Sequence, residues 1–312
     1  MFSTVQPDQS KTAVAGSVAR QYVHKNAASE VLLTGWRALG NDTYAVTARW
    51  PKDHPFYRPL HGFHDPMLAT ESIRQALLLL GHVAYDVPFG HPQSWSHFRY
   101  TLSSTALLAT DGPAEVELHI VCSDINRRSG RLASMVTRID IVRGGLHVAT
   151  ADIGFASHLP AIYRRLRGRY ADVEQAMARV IPLAPPMTPA RVAREDFKDV
   201  VLSPTDSPTH SQLRVDLNHP ALFDHPVDHI PGMLLLEAAR QAAHTMSHPR
   251  PMTAIAMDAL FVRYAELDAP CWIHVDPLPD DDRGRSRVLI SALQNDTCVF
   301  SSTTTLEPVP GC

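Results

Sequence analysis

The stretch Asn218–Ala243, NHPALFDHPVDHIPGMLLLEAARQAA, gives the strongest structural signal in the chain. It begins as a polar loop rich in His and Asp, and after Gly232 it becomes mostly apolar, with a single acid, Glu237, and a single base, Arg240. Residues three apart share one face of a helix, and a helix that is apolar on most sides is expected to be buried. Buried charges need partners. The stretch therefore predicts a loop that leads into a central helix carrying an ion pair.

The same pattern occurs earlier in the chain, at one constant offset for the helix and with one residue of slippage for the loop. The matching residues, first copy before second copy, are Met67 and Met233, Glu71 and Glu237, Arg74–Ala76 and Arg240–Ala242, and His54–Pro55 and His219–Pro220. Two copies of about half the chain are too long for a solenoid, whose repeats have roughly 20 to 50 residues. A chain of 312 residues is typical of about two domains of ~150 residues each. The duplication therefore predicts two similar globular domains.

The overall composition argues against several classes of protein. A net charge of −3 provides no general basic surface for nucleic acid or anionic membranes. The four cysteines have no C-x-x-C spacing, which argues against zinc ribbons, thiol redox chemistry and a disulfide framework and favours a reducing compartment. The sequence shows neither a signal peptide nor an apolar run of about 18 residues. We expect a cytoplasmic protein without a nucleic-acid or membrane partner.

Turn signals and hydrophobic periodicity give the same order of elements in each half of the chain. The predicted segments are a flexible polar arm (1–17), a first domain (18–180), a Pro-rich linker (181–190) and a second domain (191–312). In each domain two β-rich runs precede a helix, predicted at Met67–His82 and from Gly232 to about Ser247, and alternating strands follow it. Strands grouped around one long helix are typical of the α+β class. We predict, in each domain, a curved antiparallel sheet wrapped around a central helix.

Two motifs resemble those of a known family. HGFHDPML at 61–68 with ESIRQ at 71–75, and FDHPVDHIPGMLLLEAARQAA at 223–243, are similar to the paired motifs of the A-factor biosynthesis family, the γ-butyrolactone autoregulator synthases of actinobacteria. The resemblance implies two tandem hot-dog domains that form an intramolecular pseudo-dimer, and it leaves a homodimer open. It also implies an acyltransferase that joins a β-ketoacyl thioester, carried by acyl carrier protein or coenzyme A, to the hydroxyl of dihydroxyacetone phosphate. The product is expected to be the precursor of a butenolide-type signalling molecule, and no cofactor is implied.

The resemblance places functional residues on both predicted helices. The acids and the base thought to act in the family fall on Glu71, Glu237 and Arg240, with Arg74 as the first-copy counterpart of Arg240. Acyl transfer to an alcohol needs a base, an oxyanion stabiliser and a means of holding both substrates. A buried Glu237 with a raised pKa would suit the base, and the alternative is a structural ion pair with Arg240. The two arginines suit a phosphate, or each neutralises its own Glu.

The loop and the helix start supply further candidates. Gly232 and Met233 would present free N–H groups to the thioester carbonyl, whereas Pro66 at the equivalent place in the first copy has no N–H. The second copy is therefore predicted to provide the better oxyanion hole, and a simple helix cap is the alternative. His225 and His229 are candidate proton shuttles, with loop-bracing hydrogen bonds as the alternative.

Several alternatives remain open at this point. The motifs HGFHD and DHPVDH have metal-like spacing, but the sequence offers no identifiable third ligand, so we predict no metal. The same fold would suit a thioesterase or a dehydratase, although Phe223 stands where the dehydratase relatives usually carry a catalytic His. A non-catalytic protein that binds acyl chains or lactones is a third hypothesis. The basic run 163–169 would suit docking of an acidic carrier protein, or is a solvated helix face. Under the leading hypothesis, the Glu and Arg side chains of both helices meet the substrates in one shared cleft.

Overall fold

The computed structural model describes residues 18–309, so the predicted arm at 1–17 lies outside the described residues. The first copy contains β1 (Leu33–Gly40), β2 (Thr43–Trp50), α1 (Pro66–Val83), β3 (Gln93–Leu102), β4 (Ala114–Arg128), β5 (Arg131–Arg143) and β6 (Leu146–Ser157). Two short helices follow, α2 (Pro160–Arg167) and α3 (Val173–Ala178). The second copy contains β7 (Leu202–Pro204), β8 (His210–Leu213), α4 (Gly232–Thr245), β9 (Met252–Phe261), β10 (Trp272–Leu278), β11 (Ser286–Gln294) and β12 (Thr297–Pro308).

The strands form one antiparallel sheet in the order β1-β2-β4-β5-β6-β3-β9-β12-β11-β10-β8-β7. The second half of this order is the first half in reverse, since β9 takes the place of β3 and β7 that of β1. The two copies meet where β3 pairs with β9, and Arg99 lies opposite Asp258 in an ion pair of 3.0 Å. The halves are therefore related by an approximate two-fold axis and share a continuous sheet. The domain boundaries predicted around 181–190 stay a prediction.

Both central helices form where the sequence predicts them. α1 and α4 are buried along most of their length because most of their positions are apolar. α4 packs against β9, β10, β11 and β12. Side chains alternate between buried and more exposed along the strands, as in β11, where Val288, Ile290 and Ala292 are buried and their neighbours face outward. The predicted α+β arrangement, a curved antiparallel sheet around a central helix in each copy, is confirmed.

Among residues 18–309, no helix combines the length and the apolar character that a bilayer-spanning helix requires. The predicted cytoplasmic location stays a prediction.

Candidate active site

A cavity of about 740 Å³ lies beside α1, beneath the His- and Asp-rich loop that precedes α4. Its volume is in the range of small-molecule sites, roughly 300–1,000 Å³. The predicted site residues that line it are Glu71, Arg74, His225, His229, Gly232 and Met233. The other two predicted site residues, Glu237 and Arg240, do not line it. The cavity therefore combines the helix acid of the first copy with the loop and helix start of the second.

The carboxylate of Glu71 is saturated by neighbouring donors. Arg74 donates from Nε and Nη2, both at 2.8 Å, Gln75 donates from Nε2 at 2.7 Å, and the Lys25 ammonium lies 3.3 Å from Oε1. Burial by itself would raise the pKa of Glu71, but the charges of Arg74 and Lys25 outweigh it and lower the pKa to about 2. Glu71 is therefore an anion at neutral pH and a weak proton acceptor.

Two side chains connect the Glu71 cluster to segments far away in sequence. Gln75 donates to Glu30 O at 2.7 Å and accepts from Leu32 N at 2.9 Å, which holds the chain before β1 against α1. Lys25 donates from Nζ to Ala221 O of the cavity roof at 3.2 Å. The first-copy acid is thereby linked to the loop of the second copy.

The second copy repeats this cluster around Glu237. Arg240 donates to the Glu237 carboxylate at 2.8 and 2.7 Å, and Gln241 donates at 2.6 Å. Arg194 stands where Lys25 stands in the first copy and donates from Nε at 2.8 Å. Burial would raise the pKa of Glu237, but Arg194 and Arg240 hold it well below the ordinary value. The prediction of a raised pKa for Glu237 is therefore wrong, because two buried guanidinium groups stabilise its charged form.

Arg194 also closes the space beside the second-copy cluster. Its Nη1 donates to Asp65 Oδ2 at 2.7 Å and to Phe56 O at 3.0 Å, so one guanidinium spans from Glu237 to the start of α1. The cavity that Arg240 lines here has a volume of about 50 Å³. The prediction of one cleft shared by both Glu–Arg pairs is wrong, because Glu71 and Arg74 line the large cavity, Arg240 lines the small one and Glu237 lines neither.

The starts of the two central helices also differ. α1 begins with Pro66, and the Asp65 side chain accepts from Met67 N at 2.8 Å. α4 has no side-chain cap, and within residues 18–309 no hydrogen bond occupies the N–H of Gly232 or of Met233. A Cβ added to Gly232 would lie 3.1 Å from the Trp95 ring, so glycine suits this crowded wall. The free donors predicted at the second-copy helix start are present and adjoin the cavity.

The His- and Asp-rich loop that precedes α4 and covers the cavity contains a His–Asp pair. His229 Nδ1 lies 2.6 Å from Asp228 Oδ1, and Asp228 also accepts from Tyr163 Oη at 2.8 Å and from Arg167 Nε at 3.3 Å. Burial would raise the pKa of Asp228, but its hydrogen bonds with His229 and Tyr163 lower it. Because a carboxylate accepts, Nδ1 of His229 carries a proton, and in the neutral form of the ring the lone pair is on Nε2. This is the orientation that a general base requires.

The other predicted histidine, His225, is held less firmly. Its Nδ1 is buried without a hydrogen-bond partner among the described residues, and the nearest carboxylate oxygen, on Asp224, lies 3.6 Å away. Asp224 accepts instead from Asn26 N at 2.6 Å. Burial and then the charge of Arg74 lower the pKa of His225, so its imidazole is neutral at pH 7.

The sequence prediction missed two residues that shape the site. Lys25 and Arg194 were not selected, although they complete the two Glu–Arg clusters, and Asp65 was considered only as a metal ligand. An alignment of the duplication extended towards the N-terminus would have paired Lys25 with Arg194, because Val23 and Val192 precede them at equal spacing. Asp228 was considered as a metal ligand, but it is committed to His229, Tyr163 and Arg167. Within the described part of the chain, no three His, Cys, Asp or Glu side chains group as metal ligands.

The family model for the A-factor biosynthesis hotdog domain matches the chain twice, at residues 7–157 and 176–310. The chain belongs to this family. The two matches agree with the duplication read from the sequence, and they confirm the predicted tandem hot-dog domains.

Curated relatives of this family member extend over nearly its whole length. A protein of Streptomyces virginiae named 2-oxo-3-(phosphooxy)propyl 3-oxoalkanoate synthase is 43% identical over 288 residues, which cover 92% of this chain and 97% of the relative. A protein of the same name from Streptomyces coelicolor is 37% identical over 282 residues, which cover 90% of this chain and 88% of the relative.

Solved structures of the same fold are more distant in sequence. A putative oleoyl thioesterase from Lactobacillus plantarum aligns with a TM-score of 0.55 at 13% identity, covering 87% of this chain and 98% of that chain. The 12:0-ACP thioesterase from Umbellularia californica aligns with a TM-score of 0.51 at 12% identity, covering 87% of this chain and 100% of that chain. At these identities the likeness shows the fold alone.

Proposed function

We propose that this hotdog protein transfers a 3-oxoacyl group from a thioester to the hydroxyl of dihydroxyacetone phosphate. The product would be the ester that the name of its relatives describes, a 3-oxoalkanoate carried on a 2-oxo-3-(phosphooxy)propyl group. The observation that carries the proposal is the pair of unoccupied N–H groups at the start of α4, which adjoin a cavity of about 740 Å³ lined also by His229 and Arg74. The relatives, up to 43% identical, supply the substrate class.

The N–H groups of Gly232 and Met233 suit the developing oxyanion. When the hydroxyl oxygen attacks the thioester carbonyl, negative charge gathers on the carbonyl oxygen, and fixed donors stabilise that charge more than they stabilise the substrate. The positive end of the α4 dipole acts in the same direction. The donors need no rearrangement, since neither N–H is occupied by another group of the described chain.

His229 suits the general base. Nε2 takes the hydroxyl proton as the oxygen–carbon bond forms, and Asp228 stabilises the imidazolium that results. When the tetrahedral intermediate collapses, the carbon–sulfur bond breaks and the thiolate receives the proton from His229. The products are the ester and the free thiol, and His229 returns to its neutral form.

The Glu71–Arg74 pair suits phosphate binding rather than proton transfer. Glu71 accepts from Nε and Nη2 of Arg74, which fixes the guanidinium plane, and none of the hydrogen bonds within residues 18–309 uses Nη1. A guanidinium held on one side by a carboxylate keeps its remaining donors for an anion. We assign binding of the acceptor's phosphate to Arg74. Lys25 and Glu71 are the residues that position the Arg74 guanidinium.

The test is an assay with purified protein, a 3-oxoacyl thioester and dihydroxyacetone phosphate, with separate reactions for coenzyme A and acyl carrier protein as the carrier. We expect a phosphorylated ester by mass spectrometry and thiol release that depends on the phosphorylated acceptor. Dihydroxyacetone without phosphate is the control, and it should react poorly. Thiol release that is equal with and without acceptor would identify a thioesterase instead. Binding of the thioester without any thiol release would identify a non-catalytic binding protein.

A further inference from the structure

The rim of the large cavity carries two arginines to which the proposed reaction assigns no role. Arg164 on α2 and Arg263 just after β9 both line the cavity, and both are exposed. In the part of the chain that the structure describes, neither guanidinium lies within ion-pair distance of a carboxylate. Each is therefore an uncompensated positive charge at the entrance.

The acidic groups that line the cavity are already occupied. Glu71 is paired with Arg74 and Lys25, and Asp228 accepts from His229 and Tyr163. The remaining acid on the wall, Asp224, accepts from Asn26 N at 2.6 Å. The net charge that a ligand meets at the entrance is therefore positive.

Two tyrosines in edge-to-face contact lie next to the two arginines in the sequence, and both also line the cavity. The rings of Tyr163 and Tyr264 are 5.8 Å apart and nearly perpendicular, and Arg164 and Arg263 are their immediate neighbours in the sequence. The His229 ring lies 4.8 Å from Tyr264 on the inner side. The tyrosine pair therefore contacts the proposed base, and each tyrosine is the sequence neighbour of one of the two arginines.

The other arginines of the predicted basic run do not line the cavity. Arg167 is buried and paired with Glu266 at 2.6 and 2.7 Å, and its guanidinium lies 4.3 Å from the centre of the Tyr264 ring. Arg165 is exposed but does not line the cavity. The run is therefore not a uniform basic surface, and Arg164 is the member that faces the entrance.

We propose that Arg164 and Arg263 bind the phosphate at the far end of the phosphopantetheine arm that delivers the acyl thioester. This inference rests on the proposed function. Coenzyme A and acyl carrier protein both present the thioester at the end of this arm, with an anionic phosphate at its other end. Two guanidinium groups at the entrance suit that phosphate, while the thioester reaches past the tyrosines to His229 and the start of α4. The acceptor's own phosphate stays with Arg74.

A binding experiment separates this inference from the reaction itself. The intact protein is titrated with 4′-phosphopantetheine and with pantetheine, which lacks the phosphate, by calorimetry. We expect the phosphorylated compound to bind about 10-fold or more tightly, in keeping with a charge-assisted contact. Arg164→Ala and Arg263→Ala should each remove most of that difference. Arg165→Ala, an adjacent exposed arginine off the cavity, should leave it unchanged.

Turnover adds a second readout. Arg164→Ala should raise KM for the coenzyme A thioester about 10-fold and leave KM for dihydroxyacetone phosphate and for an N-acetylcysteamine thioester, which has no phosphate, within about twofold. Equal binding of phosphopantetheine and pantetheine by the wild type would overturn the inference. So would a rise in KM for dihydroxyacetone phosphate alone, since the arginines would then serve the acceptor. Wild-type protein that binds phosphopantetheine through both arginines but forms no ester would uphold this inference and refute the proposed reaction.

Discussion

The two copies place the same Glu, Arg and Gln on their central helices, yet one cluster borders a cavity of about 740 Å³ and the other a cavity of about 50 Å³. The difference comes from the cation that completes each cluster. The ammonium of Lys25 lies 3.3 Å from Glu71 and 3.9 Å from Glu30, both in the first copy, whereas the guanidinium of Arg194 joins Glu237 to Asp65 of the other copy. A planar group with several donors can hold carboxylates of both copies at once, whereas the compact ammonium pairs only with carboxylates of its own copy and leaves space beside α1. The comparison teaches that identical motif residues can border an open cavity in one copy and form a closed brace in the other.

The largest expected effect is on stability, through Glu237. Glu237→Ala leaves the buried guanidiniums of Arg194 and Arg240 without their shared carboxylate, so the free energy of unfolding should fall by about 3–5 kcal/mol. Glu71→Ala should cost less, about 1–3 kcal/mol, because water in the large cavity can solvate Arg74 and Lys25. Urea unfolding of both variants measures this. Equal losses in the free energy of unfolding would show that the Glu71 cluster stabilises the fold as much as the Glu237 cluster does.

The next effect concerns the start of α4. Gly232→Pro removes one free N–H, and kcat should fall about 100- to 1,000-fold. Gly232→Ala adds a similar Cβ beside Trp95 but keeps the N–H, so it separates crowding from the lost donor. The matching change in the first copy, Pro66→Ala, should leave kcat within about twofold, since the reaction does not use that helix start. If Gly232→Ala is as slow as Gly232→Pro, the N–H has no catalytic role.

Acidification should also distinguish Glu71 from Glu237, because their contributions to the free energy of unfolding are lost at different pH values. The pKa of Glu71 in the folded protein is about 2 against an ordinary 4.5, and a lowered folded pKa stabilises the protein above the unfolded pKa. That contribution, about 3 kcal/mol, is lost as the pH falls from roughly 5 to 2. Glu71→Gln should flatten the stability curve there, measured by urea unfolding at several pH values. The contribution of Glu237 persists to lower pH, because its folded pKa lies further below the ordinary value. If Glu71→Gln kept the wild-type slope of unfolding free energy against pH, Glu71 would not be the source of this pH dependence.

The smallest effect is expected when Arg194 is replaced by lysine, the residue that completes the cluster in the first copy. Arg194→Lys keeps the charge but cannot reach both Glu237 and Asp65, so we expect a loss of roughly 1–2 kcal/mol in the free energy of unfolding. No second active site should appear, because Pro66 still lacks an N–H. Thermal unfolding and the kcat of the variant measure the two outcomes. A rise in kcat would show that the second cluster is a site held closed by Arg194.

The local features of the fold could be predicted from the sequence, and the asymmetry of the site could not. Periodicity and Gly232 located α4, and the missing N–H of Pro66 correctly indicated which helix start has free donors. The pKa of Glu237 was predicted in the wrong direction because Arg194 reaches it from a segment far away in sequence. The single sheet was missed because the pairing of β3 with β9 depends on no local pattern. Which cavity stays open depends on Lys25 and Asp65, whose partners belong to different parts of the chain.

The hydrogen bonds that each copy donates to the other have a consequence for how such a molecule can evolve. Lys25 reaches Ala221 O in the other half, and Arg194 reaches Phe56 O in return. In a homodimer of one short chain, both positions would be encoded by a single codon, and every change would appear at two places at once. A tandem gene removes that constraint, so one interface can be tuned for rigidity while its twin keeps room for substrates.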